Sequence, residues 1–211
     1  MILFCKECGN PLSDDAKFCM KCGKPVGGIV VQGTTGPVSS EQDTQFHDAV
    51  KMGLEIATRG AKGIFLYKKN PPNRDKYLLE AKSSYQAALA VLKQLDDNPK
   101  LKGKTTQQRF EALANDLEYQ RFFAAVYQGL GALEYFHKNN IKCIENFQVP
   151  INGGLPPNSA FVIETMKIRE GYMANIRAED FDSWVKIKRD ILKEPIDVKE
   201  LGFFEKRKYL P

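Results

Sequence analysis

From Ser40 onward the chain is patterned as helix. Phe46, Val50, Gly53, Leu54, Ala57, Ala61, Ile64 and Phe65 recur at intervals of three and four. One apolar stripe of this kind predicts a helix, opened by the cap pattern Ser40-Glu41-Gln42-Asp43 and running to about Lys69. Pro71-Pro72 ends it, because proline lacks the amide proton and crowds the preceding turn. Leu78, Ala81, Tyr85, Ala88, Leu92 and Leu95 predict a second helix from about Asn73 to Leu95, and the short proline turn folds the two into an antiparallel hairpin. Asp96 to Lys104 reads as a polar connection. Thr105-Thr106-Gln107-Gln108 is a capping-box pattern, predicting one long helix to about Lys138. Its second half is apolar on nearly every side, with Phe122, Phe123, Val126, Tyr127, Leu130, Leu133, Tyr135 and Phe136 among small residues, so it is expected at the centre of the body. Further helices are expected over Asn140–Phe147, after the cap Asn158-Ser159, and over Asp180–Lys193. The first of these three bears Ile141, Ile144 and Phe147. The second carries Val162, Met166, Arg169, Met173 and Ile176 at helical spacing, and the last buries Phe181, Trp184, Ile187 and Ile191. Pro150 to Pro157 is a turn-rich loop. Leu201, Phe203, Phe204, Tyr209 and Leu210 give the tail enough apolar surface to pack partly on the body. No strand pattern follows Val31. The fold class is therefore mainly α, built of antiparallel helical hairpins.

Ahead of this periodicity the pattern is different. Phe4-Cys5-Lys6-Glu7-Cys8-Gly9-Asn10-Pro11-Leu12 is answered by Phe18-Cys19-Met20-Lys21-Cys22-Gly23-Lys24-Pro25-Val26. Each half sets an aromatic before Cys-x-x-Cys and follows it with Gly, a polar residue, Pro and an apolar residue. Two intervening residues let both sulfurs of a half reach one tetrahedral ion at about 2.3 Å, and four thiolates close its coordination sphere. The expected ligands are Cys5, Cys8, Cys19 and Cys22 and the expected ion is one zinc; iron or an iron–sulfur cluster is the competing occupant of four-thiolate sites. A closed site has no position for water or substrate, so the ion is structural, and its binding supplies folding free energy that so short a segment cannot draw from a core.

The segment 4–26 resembles the short zinc-ribbon domains found at the N-termini of many bacterial and archaeal proteins, with the four cysteines in the family's ligand positions. That resemblance implies a metal module and leaves its target open, since such ribbons bind nucleic acid, bind protein or cap a chain end. Gly27 to Ser40 is rich in Gly and small polar residues, the composition of a flexible tether. The expected organisation is a ribbon at 1–26, a Gly-rich linker at 27–40 and an all-helical domain at 41–211. Within the body, Tyr127, Leu130, Gly131, Cys143 and Phe147, preceded by Ala81, Tyr85 and Ala88, resemble tetratricopeptide repeat positions. Glu134 and Lys138 depart from that pattern, and a tetratricopeptide-like array and an irregular helical bundle both fit the periodicity.

Composition adds bounds. Hydrophobic residues make up 43% and charged residues 27% of the 211, as in a globular chain with a real core. The formal charge of +5 is mildly basic and permits an acidic partner without requiring one. A cysteine framework starting at residue 5, with no signal peptide ahead of it, reads as a reduced, cytoplasmic metal site. The most apolar run, Phe122 to Phe136, is shorter than the roughly 20 residues a membrane span needs. Gly103-Lys104-Thr105-Thr106 imitates the end of a phosphate-binding loop but lacks the preceding strand, and reads as a helix cap. His47 and His137 stand alone in sequence and read as structural; Cys143 reads as a buried thiol. Glu111, Asp116 and Glu118 read as a solvated helix face. Lys100, Lys102 and Lys104, then Lys186, Lys188 and Arg189, then Lys206, Arg207 and Lys208 are the basic clusters, with acidic residues interleaved among the last two. No small-molecule substrate is indicated. The sequence thus points to a non-enzymatic interaction or adaptor protein with a protein partner. The alternative is a nucleic-acid- or ribosome-associated factor, using Lys6, Lys17, Lys21 and Lys24 of the ribbon against phosphate.

Overall fold

The computed structural model describes residues 40–202, together with Leu3–Phe4 and Pro11–Leu12. The chain divides into two units, Met1–Val38 and Ser39–Pro211. In the first, strands β1 (Leu3–Phe4) and β2 (Pro11–Leu12) pair antiparallel, with Leu3 opposite Leu12 and Phe4 opposite Pro11. The expected linker before Ser40 and the tail from Phe203 lie outside the described residues; Leu201, at the start of that tail, is buried as expected.

The second unit is helical. Helix α1 spans Ser40–Lys69, and a turn of 3-10 helix at Pro71–Asn73 leads into α2, Arg74–Asp96. The two pack as the antiparallel hairpin that the proline turn implies: Gly63 of α1 meets Ala81 of α2, and farther along Gly60 meets Tyr85. Helix α3 (Thr106–Leu113) starts on the expected capping box, where Gln108 N–H donates to Thr105 Oγ1 and Thr105 N–H donates to the Gln108 side chain. The predicted single helix to Lys138 is instead two. The chain breaks after Leu113, and α4 runs over Leu117–Phe136. Two side chains hold the break. Asp116 caps α4 by accepting from Tyr119 N–H, and the buried Gln120 amide donates to the carbonyl oxygens of Leu113 and Ala114 at 2.7 and 3.1 Å. Both satisfy backbone groups that an interrupted helix leaves without partners.

Helix α5 covers Asn140–Val149, and α6 covers Ala160–Glu179 behind the Ser159 cap. Val162, Arg169, Met173 and Ile176 of this stripe are buried, but Met166 is 41% exposed. Thr165 takes the inward position, its hydroxyl donating to Phe161 O and accepting from Gln128 of α4. The last expected helix is α-helical only over α7, Phe181–Ile187, and widens into a π-helical turn at Lys188–Leu192. It closes at Lys193 with φ 57°, two residues before Pro195.

The side-chain pairs set the order of stacking. Phe46 stacks on Tyr119 and Tyr67 meets Phe136, so α1 and α4 run parallel. Gln120 bonds Ser159, Gln128 bonds Thr165 and Tyr135 meets Tyr172, so α4 and α6 also run parallel. The return helices α2, α5 and α7 each pack against the forward helix before them, and α2 and α5 also touch the next forward helix. The body is thus a stack of helical pairs, with α4 in the middle touching α1, α2, α5 and α6. Close approach depends on small residues there. Tyr85 from α2 lies between Gly60 of α1 and Gly129 of α4, while Gly131 lies against Phe147 and the carbonyl of Cys143.

Candidate functional site

In the first unit the described strands flank one cysteine pair. Phe4 pairs with Pro11, and the residues between them in sequence include Cys5 and Cys8. A hairpin at this position suits a Cys-x-x-Cys knuckle, and the donor set of four thiolates suits zinc. Cys5, Cys8, Cys19 and Cys22 themselves lie outside the described residues. Among the described residues, no group of three or more His, Cys, Asp or Glu is placed to hold a metal ion.

In the body, the structure shows what each remaining candidate does. Cys143 is fully buried, and burial, assisted by the charge of Glu134, pushes its thiol up to about 12. It stays protonated and unreactive at neutral pH. Gly103 turns at φ 72° and Thr105 caps α3, so the phosphate-loop imitation is a helix start. His137, the residue that caps the C-terminal end of α4, bonds the carbonyl of Leu133 through Nδ1.

His47 and Asp116 come together at one end of α1 and α4, which sequence spacing did not reveal. Asp116 is not on a solvated face: its side chain is 7% exposed, caps α4, accepts from Lys100 Nζ at 3.2 Å and lies 3.9 Å from His47 Nδ1. The Lys100 ammonium also sits 4.4 Å above the Phe46 ring, and Phe46 stacks on Tyr119. Arg109 bridges from α3 to Asp96 at the end of α2. These groups are mutually satisfied and tie the α2–α3 connection to the core. Leu101, in the connection expected to be polar, is 1% exposed and anchors it.

Among the described residues, four of the six cations of the basic clusters are ion-paired. Lys188 pairs with Glu194 and Glu200, Arg189 with Asp190, Lys100 with Asp116 and Lys102 with Asp97. Lys206, Arg207 and Lys208 lie outside the described residues.

A shallow, open cleft of ≈ 580 Å³ lies beside α1, lined by Lys51, Leu54, Glu55, Thr58 and Arg59 of α1 and by Arg121 of α4. Its lining brings three cations and one carboxylate to an open surface. Periodicity placed Leu54 on the apolar stripe, but the pairing of α1 with Arg121 follows from the parallel stacking of α1 and α4, which no local pattern encodes. Among the described residues, no helix is long and apolar enough to cross a membrane.

No curated protein and no solved structure matches the chain. Residues 4–26, with the paired cysteine knuckles and the β1–β2 hairpin at their start, match the zinc-ribbon domain family, a family of zinc-binding modules.

Proposed function

We propose that this chain is a non-enzymatic interaction protein. A structural ribbon, closed around one zinc ion by Cys5, Cys8, Cys19 and Cys22, is tethered by residues 27–40 to a helical body that binds another protein in the reducing cytoplasm. The observation that carries the reading is the stack of helical pairs in the body. Forward helices α1, α4 and α6 lie side by side, a plan that builds extended binding faces and suits a tetratricopeptide-like array. Exposed Phe65 and Leu79 on the first pair, at 58% and 68%, add apolar surface for a partner. Capture experiments with the full chain and with residues 41–211 test the reading; a specific protein partner for either supports it, and none for both sinks it.

A nucleic-acid role through Lys6, Lys17, Lys21 and Lys24 is the second reading, resting on the basic character of the ribbon. The pairing of Lys188, Arg189 and Lys100 with carboxylates weighs against a phosphate-tracking stripe on the body. Binding that weakens steeply with salt would favour it, and a flat salt response removes it.

A further inference from the structure

We infer that the cleft between α1 and α4 binds an acidic segment of a partner protein, through Arg59 and Arg121 with Lys51 beside them. The inference deepens the interaction reading and rests on it. It starts from the arginines. Five of those in the described body are engaged: Arg74 lies over the Tyr67 ring, Arg109 bridges to Asp96, Arg169 to Glu170 and Arg189 to Asp190, and Arg177 bonds the carbonyl of Glu200 and covers Trp184. The other two, Arg59 and Arg121, make no hydrogen bond, ion pair or ring contact among the described residues, and both line this cleft. A guanidinium offers a planar fork of donors that matches a carboxylate with two parallel hydrogen bonds.

The cleft's charge favours the same occupant. Lys51, Arg59 and Arg121 line it from two helices, with Glu55 the single carboxylate in the lining. Like charges gathered on one surface repel, and a partner bringing carboxylates relieves that repulsion while its own field is steered in. Along α1 the same surface continues at helical spacing from Thr58 through Lys62 to Phe65, which is 58% exposed. Acidic residues for the arginines and an apolar residue for Leu54 or Phe65 therefore describe the segment that fits. Single-stranded nucleic acid fits less well, because none of the lining residues is an aromatic on which a base could stack.

The test uses the full chain and a fluorescein-labelled peptide, Glu-Leu-Glu-Glu-Leu-Glu-Ser, read by fluorescence anisotropy. A peptide with Gln at every Glu position and an oligouridylate of equal length serve as comparisons. Arg59→Glu and Arg121→Glu are each expected to weaken acidic-peptide binding about tenfold or more, the scale of one charge-assisted hydrogen-bonded pair. Lys82→Glu, an exposed charge reversal on α2, should leave binding unchanged. Circular dichroism of each variant confirms that the body is folded. The inference is overturned if the acidic peptide does not bind, if the Gln peptide or the oligouridylate binds as tightly, or if Arg121→Glu binds like the wild type. Capture of one protein partner equally by the wild-type and Arg121→Glu chains would also overturn it, and would leave the interaction reading standing.

Discussion

Replacing Gly129 by alanine tests the packing at the centre of the body. In an ordinary helix interior this change stabilises by about 1 kcal/mol, because alanine loses less backbone entropy than glycine. Here a Cβ at position 129 would overlap the ring of Tyr85. That ring is 3% exposed and cannot retreat, since the edge facing α1 already lies where a Cβ on Gly60 would be only 2.7 Å from Tyr85 Cε2. Forcing a methyl into a filled core costs about 1–3 kcal/mol in a typical case, and a ring held on both sides belongs at the upper end. The net expectation for Gly129→Ala is a loss of about 1–2 kcal/mol, measured as a lower urea midpoint at constant slope. The cycle with Tyr85→Leu isolates the cause. Tyr85→Leu alone should cost about 2 kcal/mol by cavity formation. In that background Gly129→Ala should become neutral or stabilising by up to about 1 kcal/mol, a coupling of about 2 kcal/mol. A stabilising Gly129→Ala in the wild-type chain, or a cost unchanged by Tyr85→Leu, would refute the three-helix junction of α1, α2 and α4.

Three other outcomes follow from the same coordinates. Ser159→Ala should cost about 1–2 kcal/mol by urea unfolding, because it removes the α6 cap and leaves Gln120 Oε1, 2.7 Å from Ser159 Oγ, buried without its donor. Cys143 should resist iodoacetamide at neutral pH in the folded, zinc-loaded chain and react once urea opens the body; peptide mass spectrometry locates the label, and labelling of the folded chain would contradict its burial. Hydrogen bonds from Ser183 and then Asn140 hold the Asp180 carboxyl below its ordinary range. A depressed folded value means stability that is present at neutral pH and lost as the pH falls from about 4 through that value. Asp180→Asn should therefore be less stable than the wild type at neutral pH and lose less on acidification, and parallel pH profiles would show that Asp180 does not contribute.

What the sequence reveals and what it hides divides along physical lines. The C-terminal end of α1, the start of α2 and the caps Thr105 and Ser159 are local events, set by proline or by side chains that reach their own backbone, so they can be read directly. The break between α3 and α4 is held by Gln120, whose bonds to Leu113 and Ala114 are reinforced by Ser159 thirty-nine positions away. Periodicity continues through that break and conceals it. Asp116 looked solvated for a related reason: the groups that cover it, His47 and Lys100, arrive from other parts of the chain. The paired cysteine knuckles are legible because a shared metal ion would fix their spacing, and residues 4–26 that contain them match the zinc-ribbon family. The cleft was not, because the parallel stacking that sets Arg121 beside α1 is a property of the whole body.

Zinc content decides the central claim about the amino-terminal module. Metal analysis of the purified full chain should give one zinc per chain, with Cys5→Ser and Cys22→Ser each losing it while the circular dichroism of the helical body persists. Full zinc occupancy in either variant would contradict a site built from Cys5, Cys8, Cys19 and Cys22.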